Sequence, residues 1–503
     1  MNDRDSYGKV IGEETMYLWE LFDGANAISL RGNEDHEISG ITADSRKVRP
    51  GMAFFCIRGF YADGNDHAGE ALRNGAIALV TERNDLLEQM GQSTVVILVP
   101  NARSALARAS ARFYGMPAKE LTTIGVTGTK GKTTCTYLIR SILENAGRRV
   151  GLIGTNEVII GRQHLVSENT TPDAVSLHGY FRQMADAGLD TVVMEVSSQA
   201  IKQKRTEGIL FDHAIFTNLS PDHVSPGEHA DFQEYLECKR ELFRQCRNAV
   251  VNGDDPYVER ILEGHTCETE RYGLNTGGVL WAENLKRELV NGRLGMGFHV
   301  AGAMELDVRL PMPGVFNVYN ALGAICLCRH FHVRETDIQR SMLAARVRGR
   351  TECVLCRDGW QVLIDYAHNP SALASLLETL REYHPKRMIC LFGCGGDRAA
   401  LRRERMGRIS GEKADLTVIT DDNPRSEDPA KIRAEIEEGV LAVNGKYVVI
   451  PGRREAIAHC LSIAREGDLI LLVGKGHETY QEIDGRKLPM DEREIIREIQ
   501  NET

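Results

Sequence analysis

Residues 122–147 read TTIGVTGTKGKTTCTYLIRSILENAG: an apolar run, a Gly/Thr-rich turn carrying two lysines, then a segment where Leu138 and Ile142, and Ile139 and Leu143, recur at helical spacing. A strand, a tight turn and a helix start in that order form a cradle for phosphate. Backbone N–H groups of the turn and the helix N-terminus can surround phosphate oxygens, while Lys132 supplies charge and Thr133 a hydroxyl for magnesium. Gly128, Thr129, Lys130, Gly131 and Thr134 complete the candidate phosphate loop, Thr134 without a separate role. The common phosphate-loop pattern has four residues between its first glycine and the Gly-Lys-Ser/Thr; here that first position is Val126, and the glycines fall at Gly125, Gly128 and Gly131. A glycine turn that merely caps a helix is the structural alternative.

Other chemically loaded residues sit where strand-like runs end. DTVVMEVSS closes on Glu195, HAIFTNLS runs into SPDH with His223, and VLIDYAHNP, MICLFGCGGDR, LTVITDDNPR and LILLVGKGHE end in polar clusters. Strands alternate with helical patterns throughout, so the fold class is α/β. In doubly wound sheets the carboxyl ends of strands open onto the ligand crevice, so the polar ends should share a site. YGMPAKEL interrupts a helical pattern before the phosphate loop and reads as a linker.

At 503 residues the chain is too long for one core. Its 42% hydrophobic and 26% charged residues suit a globular protein. The formal net charge of -10 argues against a nucleic-acid binder, so an anionic ligand must meet a local positive pocket. No apolar run approaches the roughly 18 residues that span a bilayer, and the N-terminus lacks a signal-peptide core, so a cytoplasmic protein with no membrane partner is expected. The twelve cysteines read as scattered, with no Cys-x-x-Cys pair and no zinc-type Cys/His spacing, and are expected to be buried and reduced.

GVTGTKGKTT resembles the ATP loop of the Mur ligases and of their relatives the folylpolyglutamate synthetases. The resemblance runs over nearly the whole chain. TADSRKVRPGMAFFCIRG and DGNDHAGEALRNGA are similar to the family's first domain, NTTPD to its muropeptide-contact loop and MEVSS to its glutamate-bearing strand. TNLSPDH, EYLECKRELF, NGDD, GVFNVYNALGA, VRGRTE, DYAHNPSAL, GCGGDR, DDNPR and GKGHE follow in the family's order.

This resemblance implies three domains: an N-terminal α/β UDP-sugar-binding domain (1–115), a central P-loop ATPase-like ligase domain with a mostly parallel sheet (116–345), and a C-terminal Rossmann-like α/β domain for the incoming amino acid (346–503). It implies that ATP phosphorylates the terminal carboxylate of UDP-N-acetylmuramoyl-L-alanyl-D-glutamate and that an amine attacks the acyl phosphate. Bringing two anions together costs about 4 kcal/mol at 4 Å with an effective dielectric near 20, which lysine, magnesium and aligned N–H groups offset. Lys132, Glu195, His223 and Lys239 become the catalytic set, with Thr133, Glu195, His223 and a carbamylated Lys239 holding Mg2+. Without the resemblance, Glu195 reads as a helix cap, His223 as a loop histidine and Lys239 as part of a solvated helix face. Asn320, Arg350, Asp365 and His368 match ATP contacts, whose use requires the third domain to close over the nucleotide. Ser45, Thr170, Thr171, Ser197, Gln203 and Arg205 match contacts of the UDP-muropeptide. A monomer is expected.

For the amine, the resemblance points to meso-diaminopimelate. Asp422, Asn423, Pro424 and Arg425 form the DNPR tetrapeptide, and the second amino-acid centre of diaminopimelate ends in a carboxylate that a guanidinium holds bidentately. Lysine ends in an ammonium that Arg425 repels. Arg398 is a second cation for that carboxylate, and Gly474 and Glu478 match partners of the distal ammonium. Discrimination of about 10⁴ is within reach of such a site. As structure alone, DNPR is a turn set by proline with aspartate capping a helix.

Three features depart from the family pattern: Gln199 replaces a usual histidine, DHVSPGEHADF replaces a shorter loop, and GDRAALRRERM lacks the usual aspartate and Lys-Arg-Pro. Glutamine hydrogen-bonds but carries no proton charge at neutral pH. They leave room for lysine or another amine, or for a ligase-derived nucleotide-binding regulator; a folylpolyglutamate-type acceptor is opposed by the UDP-type first domain and DNPR.

Overall fold

The computed structural model describes residues 16–22, 27–33, 35–60, 62–89, 94–221, 228–398 and 400–502. By compactness the chain divides into two units, Met1–Leu280 with Gly323–Arg334, and Trp281–Leu322 with Glu335–Thr503.

The first unit contains two sheets. In the N-terminal one, Gly40–Thr42, Met52–Phe55, Ala78–Thr81 and Val95–Leu98 lie parallel in that order, and Ser29–Arg31 adds an antiparallel edge. Phe55, Val80 and Ile97 face a core closed by Leu18, Leu21 and the helix Ala102–Phe113. Asn101 starts that helix by accepting the Ser104 N–H at 2.8 Å. The proposed linker follows: Met116 is left-handed (φ 56°), and Pro117 opens a single turn of 3-10 helix.

The second sheet of this unit places six parallel strands in the order Glu268–Gly273, Cys246–Asn252, Phe211–Phe216, Thr122–Thr127, Thr191–Glu195 and Val150–Ile153. Glu157–Ile160 and Gln163–Val166 extend it antiparallel. The central strands Thr122–Thr127, Thr191–Glu195 and Val150–Ile153 are mostly buried, with apolar residues at their centres, because both faces are covered, whereas Glu268–Gly273 is more polar and only partly buried and Gln163–Val166 is largely exposed. Leu138, Ile139, Ile142 and Leu143 are all buried on the helix Lys132–Asn145, as their spacing predicted.

The second unit carries a six-stranded sheet in the order Glu352–Arg357, Trp360–Asp365, Asp468–Val473, Arg387–Phe392, Leu416–Ile419 and Tyr447–Val449, parallel except for its first strand. Two elements of this unit had no counterpart in the sequence reading: the long strands Leu280–Val290 and Arg293–Gly302 with Leu306–Leu310 beside them, and the hairpin Tyr480–Ile483/Arg486–Pro489. Leu280–Val290 interleaves charges with apolar residues and so lacks a clean period.

The thiol expectation needs correction. All twelve cysteines are free, but Cys356 is exposed and Cys238 and Cys353 are half-buried. Cys353 and Cys356 form a Cys-x-x-Cys spacing, which lies on an edge strand with a register shift between Cys353 and Leu355. Among the described residues, no helix is long and apolar enough to cross a membrane.

Candidate active site

Phe211–Phe216, Thr122–Thr127 and Thr191–Glu195 are neighbours in that order, with Val126 beside Glu195 and Thr127 beside Phe216. Their polar carboxyl ends therefore share one rim, as the strand-end rule requires.

The phosphate loop is braced by the segment after Phe216. Thr217 Oγ1 donates to the Lys130 carbonyl at 2.7 Å, the Asn218 amide donates to the same carbonyl at 3.0 Å, and Asn218 Oδ1 accepts the Lys130 N–H at 3.0 Å. Thr129 Oγ1 lies 3.0 Å from the Tyr235 hydroxyl. Gly128 has φ +148°, and a Cβ there would stand 1.9 Å from Thr217 Oγ1. Gly131 (φ 87°) turns the chain into the helix whose first residues are Lys132, Thr133 and Thr134, both threonines being buried and Lys130 exposed.

Two lysines converge on this loop. Lys132 Nζ donates to the Gly128 and Thr129 carbonyls at 2.8 and 3.1 Å, and Lys239 Nζ donates to the same Gly128 carbonyl at 2.8 Å. Lys239 is 1% exposed on the helix Phe232–Arg240, with its ammonium 4.7 Å from the Tyr235 ring centre. It is not part of a solvated helix face.

Glu195 is also 1% exposed. Its Oε1 accepts the Thr155 N–H at 2.8 Å and its Oε2 the Thr155 hydroxyl at 3.1 Å. It caps no helix; Ser197 caps Ser198–Lys202 by accepting the Ala200 N–H at 3.2 Å. Among the described residues no cation forms a salt bridge to Glu195. A buried carboxylate held only by neutral donors fits a metal ligand, and the Thr133 hydroxyl offers a second hard oxygen donor. Among the described residues there is no group of three or more His, Cys, Asp or Glu that could hold a metal. His223 lies outside the described residues.

A cavity of about 210 Å³ is lined by Lys132, Thr170, Thr171, Ser197, Gln199, Arg205 and Lys239, together with Asn169, Ser198, Glu228 and His229. Thr171 Oγ1 donates to the Glu195 carbonyl at 2.8 Å and accepts the Ser197 N–H at 3.0 Å; Thr170 and Thr155 hydroxyls are 3.0 Å apart. Arg205 donates to the Thr171 carbonyl at 2.6 Å and twice to Gln203 Oε1, at 3.1 and 2.7 Å. Gln203 thus orients Arg205 without lining the cavity. Ser45 is not among the lining residues; its hydroxyl donates to Glu70 Oε2 at 2.8 Å. His229, unmarked in the sequence reading, is buried with Nε2 2.9 Å from Ser198 Oγ, placing an imidazole one residue from Gln199.

In the second unit, Asn320 is buried on the helix Val315–Cys328, its amide donating to Asn317 Oδ1 at 3.1 Å. The Arg350 guanidinium lies 5.0 Å from the Tyr366 ring centre. Asp365 accepts the Thr351 N–H, from the segment before Glu352–Arg357, at 2.7 Å and the Ala367 N–H at 2.8 Å, while His368 is exposed.

The expected amino-acid residues lie on loops at the carboxyl ends of Arg387–Phe392, Leu416–Ile419 and Asp468–Val473. Asn423 donates to Glu478 Oε2 at 3.0 Å. Arg425 is left-handed (φ 54°), donates to the Gly396 carbonyl at 2.7 Å and pairs with Glu482 of the hairpin at 3.1 Å. Gly474 has φ +107°, and a Cβ there would meet Asp422 Oδ2 at 2.8 Å. Arg398 is exposed, and Asp428 rather than Asp422 caps the helix Pro429–Leu441. The residue that binds the loops together, Arg403, was not legible as such. It is 1% exposed and bonds Glu427 at 2.9 and 2.7 Å, Glu435 at 2.8 Å and the Gly395 and Arg398 carbonyls at 3.3 and 3.4 Å. Hydrogen bonding to Arg403 holds the Glu427 carboxyl down to about 2.

A nucleotide-type loop on a parallel sheet, with half-buried Lys132 and buried Lys239 upon it, and a further parallel-sheet domain with charged loops define a phosphate-loop ligase architecture, and the chain belongs to the Mur ligase family. Residues 37–114 match the Mur ligase family catalytic domain, 126–328 the Mur ligase middle domain and 349–476 the Mur ligase glutamate ligase domain. It is 41% identical to the UDP-N-acetylmuramoyl-L-alanyl-D-glutamate--2,6-diaminopimelate ligase of Caldanaerobacter subterraneus subsp. tengcongensis over 96% of this chain and 99% of that one. The ligase of the same name from Syntrophomonas wolfei is 39% identical over the same shares. A solved structure of a ligase of this name superposes with a TM-score of 0.70 at 27% identity, covering 97% of this chain and 99% of the other.

Proposed function

We infer that this chain is the ATP-dependent ligase that joins meso-diaminopimelate to UDP-N-acetylmuramoyl-L-alanyl-D-glutamate in cytoplasmic peptidoglycan precursor synthesis. The observation that carries the mechanism is the meeting of Lys132 and Lys239 on the Gly128 carbonyl, beside a cavity lined by Thr170, Thr171, Ser197 and Arg205. Lys132 serves the transferred phosphoryl group, releasing the carbonyl for phosphate oxygens. Arg205 and the threonines orient the muropeptide carboxylate. Phosphorylation of that carboxylate gives an acyl phosphate, and the amine of the incoming amino acid displaces inorganic phosphate.

Mg2+ neutralises phosphate charge when bound. Thr133, Glu195, His223 and Lys239 are the residues assigned to it, Lys239 as a carbamate. Two ammonium groups on one carbonyl repel each other, and carbamylation of Lys239 would replace that repulsion with attraction to Lys132. Asn320, Arg350, Asp365 and His368 are assigned to ATP and Ser45 to the UDP moiety. Arg398, Asp422, Asn423, Arg425, Gly474 and Glu478 are assigned to diaminopimelate. Domain divisions near 115 and 345 and a monomeric enzyme complete the reading.

The test is phosphate release with UDP-N-acetylmuramoyl-L-alanyl-D-glutamate, ATP and magnesium, comparing meso-diaminopimelate with L-lysine and weighing the product by mass spectrometry. Turnover with diaminopimelate alone is expected. Turnover with lysine alone would overturn the assignment of Arg425, and none with either would favour a regulatory paralogue that has kept the nucleotide loop.

A further inference from the structure

Lys475 is fully buried at 0% exposure, which is costly for an ammonium unless oxygens surround it. Its Nζ donates to Asn423 Oδ1 at 2.7 Å and to Glu478 Oε2 at 2.7 Å, stands 3.7 Å from Asp422 Oδ1 and lies 5.3 Å from the Tyr480 ring centre. Its three oxygen-bearing partners all belong to the proposed amino-acid site.

The hydrogen-bond count shows what the ammonium accomplishes. Asn423 Oδ1 also accepts the Glu482 N–H at 2.9 Å, and Asn423 Nδ2 donates to Glu478 Oε2 at 3.0 Å. With an ammonium on one side and a carboxylate on the other, the Asn423 amide has one possible flip. It keeps a second Nδ2–H for an acceptor. Glu478 Oε2 is used twice within the network, leaving Oε1 to face a donor. One remaining N–H donor and one remaining carboxylate oxygen match the two ends of an α-amino-acid head group. Without Lys475 the Asn423 carbonyl is held by the Glu482 N–H alone, and Asp422 and Glu478 become two carboxylates with no buried cation between them.

We propose that Lys475 is a positioning residue for the incoming amino acid, locking the Asn423 amide and the Glu478 carboxylate in the orientation that reads the distal ammonium and carboxylate. The proposal rests on the diaminopimelate-ligase reading and names a residue which that reading does not use.

The test is steady-state kinetics on full-length Lys475→Met, with Lys487→Met as a control. Lys487 is exposed, lies 4.4 Å from the centre of the same Tyr480 ring and takes no part in the network. In Lys475→Met the KM for diaminopimelate is expected to rise about tenfold or more, the loss of a charge-assisted hydrogen bond, while the KM values for ATP and the UDP-muropeptide stay within about twofold. Lys487→Met leaves all three unchanged. If Lys475→Met does not fold, Lys475→Gln, which keeps a hydrogen-bond donor without the charge, carries the same expectation. A fall in kcat with unchanged KM for diaminopimelate in the folded variant would overturn the proposal and leave Lys475 a structural residue. Failure of the functional reading is distinguishable, because the unmodified enzyme would then show no turnover with diaminopimelate.

Discussion

The phosphate loop and the loops proposed to take the amino acid are built on opposite plans. In the first unit, residues 128–134 are contiguous, and their shape comes from two positive-φ glycines and backbone bonds to Thr217 and Asn218. Its cations, Lys132 and Lys239, rest on a backbone carbonyl that a ligand can displace. In the second unit, loops from three strands are held by cations already paired to side-chain carboxylates: Arg403 to Glu427 and Glu435, Lys475 to Glu478, Arg425 to Glu482. A site for a polyanion keeps its positive charge available; a site for a zwitterion must balance its charges internally before the ligand arrives.

The largest effect that tests this contrast is expected at Lys239. Lys239→Ala removes the side chain proposed to become the anionic carbamate; turnover is expected to fall by on the order of 10²–10³-fold or more in a phosphate-release assay, the scale of losing one preorganised charge contact. Partial rescue by a short-chain carboxylic acid would identify an anion as the lost group. Full activity would show that its bond to Gly128 only supports the loop.

Arg403 supplies the matching test in the second unit. Arg403→Met leaves the partly exposed Glu427 and Glu435 without their buried partner, a change that costs about 1.5–3 kcal/mol, the scale of a hydrogen bond to a charged group. Urea unfolding measures the loss. The KM for diaminopimelate is expected to rise in parallel, because Arg403 also ties the carbonyls of Gly395 and Arg398 to the loop of Arg425. A loss below about 1 kcal/mol would reclass the cluster as a surface ion pair.

The same contrast explains what could be read in the sequence. The strands at 122–127, 191–195, 211–216 and 468–473 were legible because strands of parallel sheets are continuous apolar runs, and the loop at 128–134 because its chemistry is local. Lys239 carried no signal of its own on a helix, and only its place in EYLECKREL singled it out; burial against Tyr235 explains why a lysine stands there. Arg403 hides in RRERM among exposed charges, and the hairpin that brings Glu482 to Arg425 has no apolar face to announce it. Asp365, matched to nucleotide contact, accepts one N–H from its own loop and another from Thr351, fourteen residues earlier. Partners distant in sequence leave no local pattern.

The smallest expected effect concerns acid. His178, in the helix Ala174–Asp186 of the first unit, is 1% exposed, and neither ring nitrogen has a hydrogen-bond partner; burial pushes it down to about 4. A base whose folded value is depressed opposes folding once the unfolded chain binds the proton. Stability is therefore intact above pH 6.5 and is lost as pH falls from 6.5 toward 4, by about 2 kcal/mol at pH 5. Glu427 in the second unit behaves oppositely. Its carboxyl is held down from 4.5 to about 2 by Arg403, so its contribution is present above pH 4.5 and disappears only as pH falls through 2. At pH 5 the first unit has lost stability and the Arg403 network has not. Regional hydrogen exchange is expected to show protection falling in 94–221 before 387–473. His178→Leu should remove the difference, stabilising by about 2 kcal/mol at pH 5 while changing stability by less than about 1.5 kcal/mol at pH 7.5, where only packing differs. An equal change at both pH values would mean that the imidazole is a packing element whose titration does not reach the fold.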